Sequence, residues 1–107
     1  MRKAGEEAMS LNIEQHISEN AVIILSGRLD TSTAPQLEEA IDWALPQINS
    51  LTIDLADTEY VSSAGLRVIL KAYKALVRKG GLKLKNVREN VQEVFDITGF
   101  SDFLVIE

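Results

Sequence analysis

Ser62 and Ser63, followed by Ala64 and Gly65, are the side chains in this sequence whose types and spacing best suit a reaction at a hydroxyl. They sit within Asp57-Thr58-Glu59-Tyr60-Val61-Ser62-Ser63-Ala64-Gly65-Leu66, where a strand pattern gives way to a helix pattern. Small neighbours leave both hydroxyls uncovered and the backbone approachable. A phosphoryl group accepted there would set about −1.5 to −2 charges against the free N–H groups and positive dipole end of a helix, where an anion is best tolerated. The same pattern has a plainer use, because either serine can cap the helix. Local sequence does not choose between a cap and a phosphate acceptor.

Other chemistry is sparse. His16 is the single histidine and cysteine is absent, which excludes disulfide frameworks, thiolate zinc sites and cysteine nucleophiles. One imidazole in a strand-to-turn position cannot assemble a Ser-His-Asp set or a metal-ligand set, so His16 reads as a surface residue. No glycine-rich phosphate loop follows a strand. An enzyme would rest on carboxylates such as Asp30 with nearby hydroxyls, and nothing supplies a general base poised near neutrality. The chain therefore reads as a non-enzyme without cofactor or metal. Asp30 follows a strand, where aspartate often forms an Asx turn.

A formal net charge of −5 opposes nucleic-acid binding unless the cations gather on one face. Arg67, Lys71, Lys74 and Arg78 fall at offsets of four, seven and eleven and form a basic stripe along one side of a helix. It suits either an acidic partner surface or an ordinary solvated edge, and it lacks the aromatic interleaving of a nucleic-acid groove. Trp43, beside the apolar stripe of the preceding helix, reads as a core-edge residue or a partly exposed contact.

The elements that must position these residues follow from periodicity. With 107 residues, 46% of them hydrophobic, the chain can bury the core of one domain, expected over residues 9–107 behind a disordered polar leader at 1–8. No apolar run approaches the roughly 18 to 20 residues of a membrane span, and the first residues lack the apolar core of a signal peptide, so a cytoplasmic protein without membrane contact is expected. Leu11–Gln15 and Ala21–Leu25 read as antiparallel strands across a Ser18-Glu19-Asn20 turn. Thr33, Pro35 and Gln36 predict a capping-box start for a helix with the stripe Leu37, Ala40, Ile41, Ala44, Leu45 and Ile48, ended or bent by Pro46. Leu51–Leu55 alternates as a strand. Val61–Leu76 turns helical, with Leu66, Ile69, Leu70, Tyr73, Leu76 and Val77 on one face, stopped by Gly80-Gly81. A strand at Leu82–Val87, a short helix carrying Val91, Val94 and Phe95 and closed by Gly99, and an apolar run at Phe103–Ile106 complete the order β-β-α-β-α-β-α-β. That order predicts an α/β domain, a mixed sheet covered by helices.

Asp57 through Leu70 closely resembles the signature of the STAS family, and Leu25-Ser26-Gly27-Arg28-Leu29-Asp30-Thr31 resembles its second, more N-terminal motif. Val94-Phe95-Asp96-Ile97-Thr98-Gly99-Phe100 is similar to the family's last helix, so the resemblance extends over residues 9–107. It implies an anti-sigma-factor antagonist. In the proteins it resembles, the unphosphorylated form binds a kinase-type anti-sigma factor and frees the sigma factor. Phosphorylation by that serine kinase, with ATP, ends the binding, and a serine phosphatase restores it. Position in the motif puts the phosphorylated serine at Ser63 and the neighbouring acidic residue at Asp30, with Ser62, Ala64 and Gly65 around the site. Many relatives carry aspartate where this chain has Ser62, which makes Ser62 a competing acceptor. The alternative within the family is a constitutive scaffold subunit of a larger assembly, stressosome-like or a lipid-transport accessory.

Overall fold

The computed structural model describes residues 11–107; the expected leader and the first two residues of the expected domain lie outside them. Five strands, β1 (Leu11–His16), β2 (Asn20–Leu29), β3 (Ser50–Val61), β4 (Gly81–Lys85) and β5 (Val105–Ile106), form one sheet in the order β1-β2-β3-β4-β5. β1 and β2 are the antiparallel hairpin, and β2 through β5 run parallel. Helices α1 (Ala34–Ala44), α2 (Ser63–Leu76) and α3 (Glu89–Thr98) make the crossovers.

Right-handed crossovers between strands laid down in sequential order carry α1, α2 and α3 to the same face. Burial agrees: Ile23, Leu25, Ile53, Leu55 and Leu84 are fully buried in one core with Leu37 of α1, Ile69 of α2 and Phe95 of α3. On the opposite face Glu14 and Lys83 are exposed and Thr52 is half-buried. Among the described residues the sheet is thus covered on one face only, a refinement of the covered sheet expected from the element order.

β3 is longer than its alternation suggested. Ile24 pairs with Asp54 but Ser26 with Asp57, and Gly27 pairs with Thr58 but Arg28 with Tyr60, so β3 carries an extra residue at each of two bulges. At the first, the Asp54 carboxylate accepts the Ala56 N–H at 3.0 Å. Bulges break period two, and after Leu51, Ile53 and Leu55 the next buried residues are Thr58 and Val61. Val61 therefore ends a strand, where periodicity alone made it the start of a helix. The buried face of α2 is also rotated, taking in Val68 and Ala72, while Val77 lies past the helix and is half exposed.

The capping box of α1 does not form. Thr33 Oγ1 donates to the Arg28 carbonyl at 2.7 Å and accepts the Asp30 N–H at 2.9 Å, leaving no side-chain cap. Pro46 falls in a 3-10 turn, Leu45–Gln47, that ends α1. β4 stops at Lys85 because Asn86 adopts a left-handed φ of 58°. Gly99, at φ 82°, closes α3 as expected. The last strand is only Val105–Ile106, since Phe100–Asp102 forms a further 3-10 turn.

Candidate functional site

β2 and β3 leave the sheet side by side, because the Ser62 N–H donates to the Leu29 carbonyl at 2.8 Å. Ser62 is extended (φ −90°, ψ 174°), and its Oγ accepts the Gly65 N–H at 3.3 Å, making it the N-cap of α2. Ser63 is the first helical residue; it is exposed, and its hydroxyl makes no hydrogen bond among the described residues. First-turn N–H groups have no partner within a helix; that of Gly65 is taken by Ser62 Oγ, and among the described residues those of Ser63 and Ala64 stay open beside this hydroxyl. Gly65 allows the close approach. A Cβ there would lie 2.6 Å from Leu29 Cγ and 3.2 Å from the Leu29 carbonyl oxygen.

Asp30 occupies the matching exit of β2. Its Oδ1 accepts the Ser32 N–H at 3.0 Å, the Ser32 hydroxyl at 2.8 Å and the Thr33 N–H at 3.1 Å, an Asx turn that leads into α1. The Ser32 hydroxyl, opposed in part by desolvation and aided by the N–H groups of Thr33 and Ser32, holds the carboxyl below its ordinary range. Arg28 Nε lies 3.7 Å from the other carboxylate oxygen, and its guanidinium stacks 4.4 Å over the Tyr60 ring. No hydrogen bond joins Asp30 to Ser63. Sequence reading missed Leu29, whose carbonyl ties the two exits together, and Thr33, whose hydroxyl braces the exit of β2 on the Arg28 carbonyl and the Asp30 N–H; buried threonine after a strand motif was the available signal for the second.

The basic stripe divides. Lys71 Nζ lies 3.0 Å from Glu38 Oε2 and 3.1 Å from Asp42 Oδ1, bridging α2 to α1, and the Glu38 and Asp42 contacts raise its pKa. Arg78 falls beyond the end of α2. Arg67 and Lys74 are exposed and make no ion pair among the described residues. A groove of about 400 Å³ runs between α1 and α2, with Thr31, Ala34 and Pro35 on one wall and Ala64, Arg67 and Lys71 on the other. Trp43 is 61% exposed, a surface residue rather than a core edge. His16 is exposed and bonded to Glu14 at 2.6 Å. Among the described residues no group of three candidate ligands could hold a metal ion, and no helix is long and apolar enough to cross a membrane.

The family model described as "Mlab, STAS domain" matches residues 13–106. The chain belongs to the STAS family. This STAS chain is 35% identical over 100 residues to the anti-sigma-B factor antagonist of Bacillus subtilis (strain 168), covering 92% of each protein. It is 32% identical over 101 residues to the anti-sigma-B factor antagonist of Listeria monocytogenes, covering 92% of this chain and 89% of that one. Among solved structures, the anti-sigma factor antagonist from Mycobacterium paratuberculosis superposes with a TM-score of 0.83 at 25% identity, over 91% of this chain and 85% of that one. The unphosphorylated form of the anti-sigma factor antagonist SpoIIAA shares the fold, with a TM-score of 0.76 at 22% identity over 92% of this chain and 88% of its own. The STAS motif residues Ser63 and Asp30 stand at neighbouring strand exits of that fold.

Proposed function

We propose that this STAS protein is an anti-sigma-factor antagonist, a cytoplasmic binding regulator that captures a kinase-type anti-sigma factor until that kinase phosphorylates Ser63. The observation that carries the reading is the division between the two serines: Ser62 Oγ is committed to the Gly65 N–H, whereas Ser63 Oγ is exposed and unbonded. In the transfer, the Ser63 oxygen bonds to the γ-phosphorus of ATP, the bond from that phosphorus to the ADP oxygen breaks, and the hydroxyl proton leaves to a base of the kinase. A serine phosphatase reverses the modification by hydrolysis. The catalytic groups belong to those partners, and this chain supplies the acceptor. Incubation with a kinase-type anti-sigma factor and ATP, followed by phosphosite mapping, tests the reading. Phosphate is expected at Ser63; phosphate confined to Ser62, or none, rejects it.

Asp30 contributes by holding the turn beside Ser63. Its depressed pKa makes the carboxylate a weak base, its Oδ1 is engaged with Ser32 and Thr33, and its Oδ2 faces Arg28. Asp30→Asn keeps an acceptor for the turn and is expected to be phosphorylated at close to the wild-type rate, while Asp30→Ala slows phosphorylation several-fold. A large loss in the Asn variant would instead assign the negative charge a direct role.

Electrostatic steering of an acidic partner falls to Arg67 and Lys74, since Lys71 is neutralised within the fold. Reversing both charges should slow association about tenfold at low salt and flatten its salt dependence. Unchanged association rates would leave the stripe without a part in binding.

A further inference from the structure

Building on the reading of Ser63 as the phosphosite, we propose that Arg67 is the counter-charge of the phosphoserine. Once Ser63 is modified, the Arg67 guanidinium folds back one helical turn, clamps the phosphate, and is withdrawn from the groove between α1 and α2. Phosphorylation then changes that surface twice, by adding a dianion and by removing a cation offered to the partner.

The geometry is that of a helical i, i+4 pair. α2 runs unbroken from Ser63 to Leu76, so residues 63 and 67 share a face with their Cβ atoms about 6 Å apart. Helical side chains lean toward the N-terminus, and a long residue covers the turn preceding its own Cα. Arg67 is therefore placed to reach back over Ser63. Its planar fork of N–H donors matches phosphate oxygens in pairs.

The neighbouring cations are excluded by what they already hold or by distance. Lys71 is held by Glu38 and Asp42 across the groove. Arg28 is engaged by Asp30 and stacked on Tyr60. Lys74 is eleven residues from Ser63, about 16 Å along the helix axis. Arg67, exposed and without an ion pair among the described residues, lines the groove next to Ala64 and can respond. Glu38 lines the same groove, but its Oε2 is bonded to Lys71. One guanidinium and the helix end, worth about half a charge, do not cancel a dianion, so the clamped state still repels an acidic partner.

The test uses the full chain with phosphoserine placed at position 63 by genetic encoding, which removes any dependence on a kinase. Phosphorus NMR should find the second phosphate ionisation about 0.4 of a pH unit lower in the wild type than in Arg67→Gln, the size expected of a charge pair one turn apart. Arg67→Lys should restore part of the difference, Lys74→Gln should match the wild type, and the Arg67 Nε–H resonance should shift as the phosphate ionises. Coincident titrations of the wild type and Arg67→Gln, or an equal change in Lys74→Gln, would overturn the clamp. Failure of the kinase to modify Ser63 would overturn the reading of the site, and the titration would still report on Arg67.

Discussion

Phosphorylation of Ser63 should weaken binding of the anti-sigma factor by at least about a hundredfold, equivalent to roughly 2.7 kcal/mol. A partner seated over α2 would have to take a phosphate dianion out of water, and burying a charge without full compensation costs several kcal/mol. The fold itself should change little, because the anion meets open first-turn N–H groups and the core beneath Leu66 and Ile69 is not disturbed. Ser63→Ala should accept no phosphate and bind whether or not ATP is present. Ser63→Asp should weaken binding by less than phosphoserine does, having one charge and fewer acceptor oxygens. Ser62→Ala separates the two serines: it should still be phosphorylated at position 63, but lose about 1 kcal/mol of stability with its cap. Calorimetric titration of each form against the kinase decides the matter. Equal affinity before and after modification would point instead to a constitutive scaffold.

Gly65→Ala should destabilise the domain by about 1 to 3 kcal/mol, the usual cost of forcing a methyl into filled space. The added carbon would sit 2.6 Å from Leu29 Cγ and 2.8 Å from its Cδ2. Leu29 is fully buried and cannot swing clear. Relief would require α2 to lift away from β2, stretching the hydrogen bond from Ser62 N–H to the Leu29 carbonyl that sets the site. For a domain of this size the melting temperature should fall by roughly 4 to 8 °C per kcal/mol, and Ser63 phosphorylation should slow with it. A melting temperature within a degree of the wild type would show that the helix can move without cost.

Much of the fold was legible because hydrophobic period is a local property. The stripe Leu37, Ile41 and Ala44 marks α1 without any knowledge of what it packs against. The errors fall where local and tertiary order separate. Val61 looked helical because two bulges replaced alternation with a spacing of three. Thr33 looked like a capping residue because its type and offset fit, yet the hydrogen-bond partners nearest in space are the Arg28 carbonyl and the Asp30 N–H. Trp43 could not be placed from its neighbours in sequence, since its exposure depends on how α1 rolls against the sheet.

By itself the sequence determined the element order, a small-residue turn bearing two hydroxyls, and the two STAS motifs, all properties of short contiguous stretches. Only the tertiary structure decided which hydroxyl is free, which cations of the stripe are free, and what Asp30 holds. Each of those depends on pairing β2 with β3 and docking α1 against α2, which joins residues as distant as Lys71 and Glu38, 33 positions apart. Ser62 and Ser63 are chemically identical and adjacent. They differ because the bond from Ser62 N–H to the Leu29 carbonyl fixes where α2 begins, so one hydroxyl turns inward to cap the helix and the next faces solvent.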